Sequence, residues 1–233
     1  MSAALALLAA LMAGHDGHEV QAGHDSLTYW MVSAELDGGE TRDRAGVLAW
    51  DADAWIGGDA AKLWLKSEGE TLDGETVRAE LQLLYDAPIS DFWDVQLGVR
   101  YDVEPEGRAY LAAGLQGLAP HFLETEVTAF LSEDGDLSLR LYQEIDLQIT
   151  QRLVLTPSAE IDIFAADAPE RGIGAGFAEA SLELMLRYEI TRKFAPYVSL
   201  VYERALGETA IIARRDGEDV ETTSFRAGLK FWF

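Results

Sequence analysis

Along most of the chain, apolar and polar residues alternate one for one. The C-terminal segment shows it plainly: Phe225, Ala227, Leu229, Phe231 and Phe233 fall on one face, and Ser224, Arg226, Gly228 and Lys230 on the other. A period of two predicts a strand with two unlike faces, and a last strand closing on an aromatic suits a wall between lipid and water. The pattern recurs in Leu137, Leu139, Leu141, Ile145, Leu147 and Ile149 against Ser138, Arg140, Tyr142, Glu144, Asp146 and Gln148. It recurs again in Val77 to Tyr85, Val95 to Tyr101 and Ala180 to Tyr188. About twelve such segments are predicted, near 26–36, 45–57, 61–69, 75–86, 91–103, 107–118, 121–132, 136–149, 152–165, 175–190, 194–206 and 223–233.

An even number of short alternating strands predicts an all-β fold, a transmembrane antiparallel up-and-down β-barrel with both chain ends on the periplasmic side. Short turns are expected around 57–59, 87–89, 119–120, 150–151 and 192–193, facing the periplasm. Longer polar loops are expected at 37–44, 67–75, 165–173 and 207–222, facing outward. A lipocalin-like barrel or a sandwich would invert the code, with the apolar face inside, and alternation alone does not separate the two. Trp30, Trp50, Trp55, Trp64, Trp93, Tyr101, Tyr188, Tyr197, Phe231 and Trp232, many near predicted strand ends, favour the membrane, whose interfaces attract amphipathic rings.

With the apolar face toward lipid, the predicted interior carries Glu80, Asp94, Asp102, Glu124, Glu126, Glu144, Asp146, Glu160, Asp162, Glu183 and Glu189. Facing them are Arg78, Arg100, Arg140, Arg187, Arg226 and Lys230. Two interpretations follow: a plug of cross-strand ion pairs that fills a narrow barrel, or an acidic conduit for cations.

The formal net charge of −23 over 233 residues argues against a nucleic-acid partner and for cations. No cysteine is present, which removes disulfides and thiolate metal sites. No apolar run beyond the N-terminus is long enough for a spanning helix, and no linker divides the chain, so one domain is expected. Residues 1–13 contain the apolar stretch Ala3 to Ala13 and read as a truncated signal peptide without its basic end, or else as a buried helix. Residues 14–25 form a short tail with His15, Asp16, His18, Glu19, His24 and Asp25, and residues 26–233 form the barrel.

Imidazole nitrogen and carboxylate oxygen are metal-ligating groups, so His15, Asp16, His18 and His24 are candidate metal ligands; a solvated linker is the plainer reading of the same residues. Thioethers suit soft metal ions, and beyond the N-terminal segment only Met31 and Met185 are available. Met185 is expected to face inward beside Glu183 and Arg187, as a luminal ligand with Glu183 or as a packed methionine. Chemistry of the hydrolase kind would rest on His121 alone, after Pro120 at a predicted turn, and the i, i+2 carboxylate pairs are what any polar barrel wall produces; the chain is read as not an enzyme.

Several longer stretches resemble the copper resistance protein B family: Trp55 to Glu70, Ala79 to Tyr85, Phe92 to Asp102, Gly114 to Pro120, Thr150 to Leu153, Leu186 to Ile190 and Phe194 to Tyr197, in order. The resemblance spans roughly residues 50–233. It implies an outer-membrane β-barrel of the Gram-negative envelope that binds copper, as Cu(II) or Cu(I), and exports or sequesters it from the periplasm. It also implies outer-membrane lipid as surroundings and a periplasmic multicopper oxidase as a partner. Members carry a His- and Met-rich segment before the barrel, which here shrinks to the tail around His15, His18 and His24. The alternative of another class is a narrow porin-like channel or structural barrel without a copper role.

Overall fold

The computed structural model describes residues 28–233. They form a closed antiparallel barrel: β1 (Tyr29–Thr41), β2 (Gly46–Gly57), β3 (Lys62–Leu72), β4 (Glu75–Ser90), β5 (Trp93–Glu104), β6 (Arg108–Ala119) and β7 (Leu123–Ser132). They are followed by β8 (Leu137–Glu144), β9 (Leu147–Gln148), β10 (Leu153–Phe164), β11 (Gly176–Tyr188), β12 (Phe194–Ala205) and β13 (Glu221–Trp232). Strands pair with their neighbours in sequence, except that β8 and β9 both pair with β10, and β13 closes on β1. At the seam Val32 and Phe233 exchange backbone hydrogen bonds of 3.1 and 2.9 Å, which brings the start of β1 and the C-terminus to one end.

β8 and β9 are one wall strand broken at Ile145 and Asp146, so the barrel has twelve staves. The cause lies on β10. Pro157 has no N–H to give, so only Ile145 N to Pro157 O, at 3.2 Å, spans the ladder there. Asp146, freed from the ladder, instead accepts from Thr156 Oγ1 at 2.6 Å and from both terminal nitrogens of Arg187.

All twelve expected strands are present, but several boundaries move. The expected loops 37–44 and 67–75 are mostly strand; the turns there are confined to 42–45 and 73–74, the latter with Asp73 and Gly74 in left-handed backbone. The expected turn 87–89 lies inside β4, where Pro88 sits beside a bulge and the reversal waits for 91–92. Only two connections are long. Residues 165–175 carry a single 3-10 turn (Pro169–Arg171), and residues 206–220 carry helix α1 (Gly207–Asp216), both at the end opposite the start of β1 and the C-terminus.

The outer surface is apolar. Leu83, Leu97, Val99, Leu111, Leu182, Leu184, Leu200 and Phe225 are all exposed on it. Tyr29, Trp30, Phe92, Phe122, Tyr188 and Phe233 gather toward the short-turn rim, and Tyr101, Phe177 and Phe225 toward the other. This is a hydrocarbon belt between aromatic girdles. Not every expected girdle residue joins it. Trp64 and Tyr197 are buried inside the barrel, and Trp55 packs against an inner cluster of Trp64, Leu84, Tyr110, Ala112 and Phe130. Cross-strand register explains it: Trp55 stands opposite Trp64 and Trp64 opposite Leu84, on the same inward face as Lys66 and Gln82.

Candidate functional site

Registry builds the interior. Glu35 of β1 stands directly opposite Asp51 of β2, Asp51 opposite Glu68 of β3, Glu68 opposite Glu80 of β4, and Glu80 opposite Asp102 of β5. This row of five carboxylates runs across adjacent strands, with Lys230 of β13 opposite Glu35 at one end and Arg108 of β6 opposite Asp102 at the other. Like charges directly opposite one another repel, and positive charge offsets the repulsion at Glu35, Glu68, Glu80 and Asp102.

Part of that charge comes from arginine. Arg140 reaches Glu68 at 3.1 Å, Glu80 at 3.3 Å, Asp162 at 3.2 Å and Glu160 at 3.6 Å; Arg100 holds Glu80 at 2.7 Å and Asp102 at 2.6 Å. Lys66 binds Glu126 at 2.6 Å, Arg226 binds Glu70 at 2.9 Å, and Lys230 binds Glu35. Aromatic faces support the cations: Arg100 lies 4.7 Å from the Phe130 ring centre and 5.2 Å from that of Tyr110. The expected plug of cross-strand ion pairs is therefore real.

It does not fill the barrel. A cavity of about 330 Å³ remains beside the row, lined by fourteen carboxylates against five cationic side chains. Asp51 and Asp53 line it and form no ion pair or hydrogen bond among the described residues. Gln82, almost fully buried, leaves its Oε1 without a partner at the same wall. The interior is thus a paired scaffold enclosing a surplus of negative charge, whose field low-dielectric walls concentrate.

Glu183 and Met185 both line this cavity, two apart on the inward face of β11. Met185 is buried between Thr156 of β10 and Ser199 of β12. Glu183 stands between Ser158 and Val201. His15, Asp16, His18 and His24 lie outside the described residues. Among the described residues no three His, Cys, Asp or Glu side chains converge at a spacing that would hold a metal ion. His121 sits in the 120–122 turn with left-handed backbone and is not among the residues lining the cavity.

Glu35, Asp37, Asp51, Asp53, Glu68, Glu70 and Glu203 were not among the inward carboxylates expected from sequence. Asp37, Glu68 and Glu70 fell in stretches read as loops. The signal that finds them is the unbroken i, i+2 run Lys66, Glu68, Glu70, continuous with Trp64 on one face.

A family model described as copper resistance protein B precursor matches residues 28–233. The chain is 40% identical over 218 residues to a copper resistance protein B of Escherichia coli, covering 93% of this chain and 73% of that one. It is 41% identical over 227 residues to a copper resistance protein B homolog of Pseudomonas syringae pv. tomato, covering 97% and 76%. Among solved structures, the NanC porin superposes with a TM-score of 0.59 over 85% of this chain and 98% of its own, at 16% identity, a likeness of fold alone.

Proposed function

The chain belongs to the copper resistance protein B family, which gives it a role in copper resistance, and we propose that it binds copper at the outer membrane through the His/Asp tail and the acidic barrel interior. Copper here is cargo. The apolar belt between aromatic girdles suits an outer-membrane setting, with the short-turn end, the start of β1 and the C-terminus in the periplasm. In that setting the imidazole and carboxylate groups of His15, Asp16, His18 and His24 would take Cu(II) tightly.

The observation that carries the reading is the in-register row Glu35, Asp51, Glu68, Glu80 and Asp102 beside a cavity with surplus negative charge. Such a wall draws a cation from the tail and holds it loosely enough to let it go, as movement through a barrel requires. Met185 adds one soft donor beside Glu183, which favours Cu(I) over hard cations at that point.

Proteoliposomes loaded with a copper-sensitive dye test this. Copper should enter them faster than protein-free vesicles, and Asp51→Asn with Asp53→Asn should slow the entry. Entry at the protein-free rate would favour the second reading, a structural barrel whose ion pairs close the interior, for which the dense Arg140 and Arg100 pairing speaks.

A further inference from the structure

Twelve of the eighteen lysine and arginine side chains are held in ion pairs, and six are in none among the described residues: Arg42, Arg44, Arg152, Arg192, Lys193 and Arg214. Three of these stand at the long-loop end among carboxylates: Arg42 and Arg44 flank Asp43, and Arg214 precedes Asp216, Glu218 and Asp219. The other three share two short turns at the opposite end, 149–152 (Ile-Thr-Gln-Arg) and 190–193 (Ile-Thr-Arg-Lys), which contain no carboxylate. On a chain of net charge −23 this is a local excess of positive charge.

The two turns are built alike and stand side by side. In the first, Thr150 N donates to Leu153 O at 3.1 Å and Thr150 Oγ1 accepts from Arg152 N at 3.3 Å; in the second, Thr191 N donates to Phe194 O at 3.3 Å and Thr191 Oγ1 accepts from Lys193 N at 3.2 Å. Each threonine holds its turn by a local side-chain to backbone bond. Glu189 N donates to Arg152 O at 2.7 Å and stitches one turn to the other. The carboxylates of Asp146 and Glu189, on the chain leading into these turns, are both held by Arg187, so the three cations keep no partner there.

Exposed Ile149, Tyr188 and Ile190 border the turns and continue the apolar belt to this rim, and Lys193 lies 5.3 Å from the Phe233 ring centre. Cations beside aromatic rings at the edge of a hydrocarbon belt sit at the depth of lipid headgroups. We propose that the paired turns bind the phosphate of an anionic phospholipid in the leaflet at the short-turn end. Arg152 and Lys193 start from turns two strand spacings apart, roughly 10 Å, a gap that long basic side chains close onto one phosphate. Guanidinium groups grip such a phosphate through paired N–H donors. An acidic protein surface would have to displace lipid from the bordering isoleucines to reach the same cations. The inference rests on the membrane reading of the belt and not on copper.

The test is lipid retention. The full chain is refolded into vesicles of equal parts phosphatidylcholine and phosphatidylglycerol, extracted in detergent, and weighed with its bound lipid by native mass spectrometry. Wild type should retain phosphatidylglycerol over phosphatidylcholine several-fold. Arg152→Ser, Arg192→Ser and Lys193→Ser combined should bring the ratio close to unity, whereas Arg42→Ser, Arg44→Ser and Arg214→Ser combined should leave it unchanged. If the first combination does not refold, Arg192→Gln alone, in its exposed turn, should still lower the ratio. Absence of any preference in wild type would overturn the site and leave the turns to an acidic protein surface. Equal loss in both combinations would overturn it as well, by tracing the preference to overall charge. Excess inorganic phosphate should leave the lipid in place, and release of the lipid would assign the turns to the free anion instead. Failure to insert into vesicles of either lipid is a separate result, since it overturns the membrane reading on which the site depends.

Discussion

Arg140 shows how one residue holds the interior together. Its guanidinium is largely buried and serves carboxylates from β3, β4 and β10, strands that are not its neighbours alone. Removing one partner of a buried ion cluster costs more than the cluster contributes, because the charges left behind are unpaired. Arg140→Ala should therefore lower barrel stability by about 3 kcal/mol in urea unfolding from detergent; a change within experimental error would show the carboxylates to be solvated well enough without it. Tyr197 makes a smaller, cleaner case. Its hydroxyl donates to Asp37 Oδ2 at 2.7 Å while Asp37 Oδ1 has no partner, so Tyr197→Phe strips a buried carboxylate of its hydrogen bond. The expected loss is about 1 to 2 kcal/mol, read by the same unfolding curves.

At the scale of the strand, the period of two decides which substitutions matter. Val99 lies on the apolar outer face near the middle of β5, and Arg100 beside it points to the lumen. Val99→Arg should cost about 2 to 4 kcal/mol in refolding into lipid, the penalty for a cation on the lipid face near the bilayer midplane; a cost near zero would place that face in water. The same period made the strands legible in the sequence, since an alternating run such as 137–149 has few other folds open to it. What it hid has physical causes. The polarity of Glu68, Glu70 and Asp37 made strand ends look like loops, although polar residues belong on an inward face. Trp64 and Tyr197, taken for girdle aromatics, were turned inward by a register that only strand pairing fixes. Pro157 broke a neighbouring strand across the ladder, an effect that cannot be seen along one strand alone.

For the whole molecule, the two parts of the copper reading were unequally legible. Inward placement of Glu183 and Met185 followed from alternation, whereas the row from Glu35 to Asp102 depends on the register of five strands and appears only once the barrel closes. On the proposed reading the row draws cations without a coordination cage among the described residues, which predicts weak, salt-sensitive binding in the lumen and tight binding at the tail histidines. Raising ionic strength should accordingly weaken the luminal class of sites and spare the tail.

The most direct test of the central claim is a copper titration of the refolded full chain at low and high salt, repeated with His15, His18 and His24 all changed to Ala and with Asp51→Asn and Asp53→Asn. The account predicts two classes of site: a tight one abolished by the histidine changes, and a weak one that survives them, fades with salt and falls with the aspartate changes. Disappearance of all binding with the three histidines, at either salt concentration, would contradict a copper role for the barrel interior.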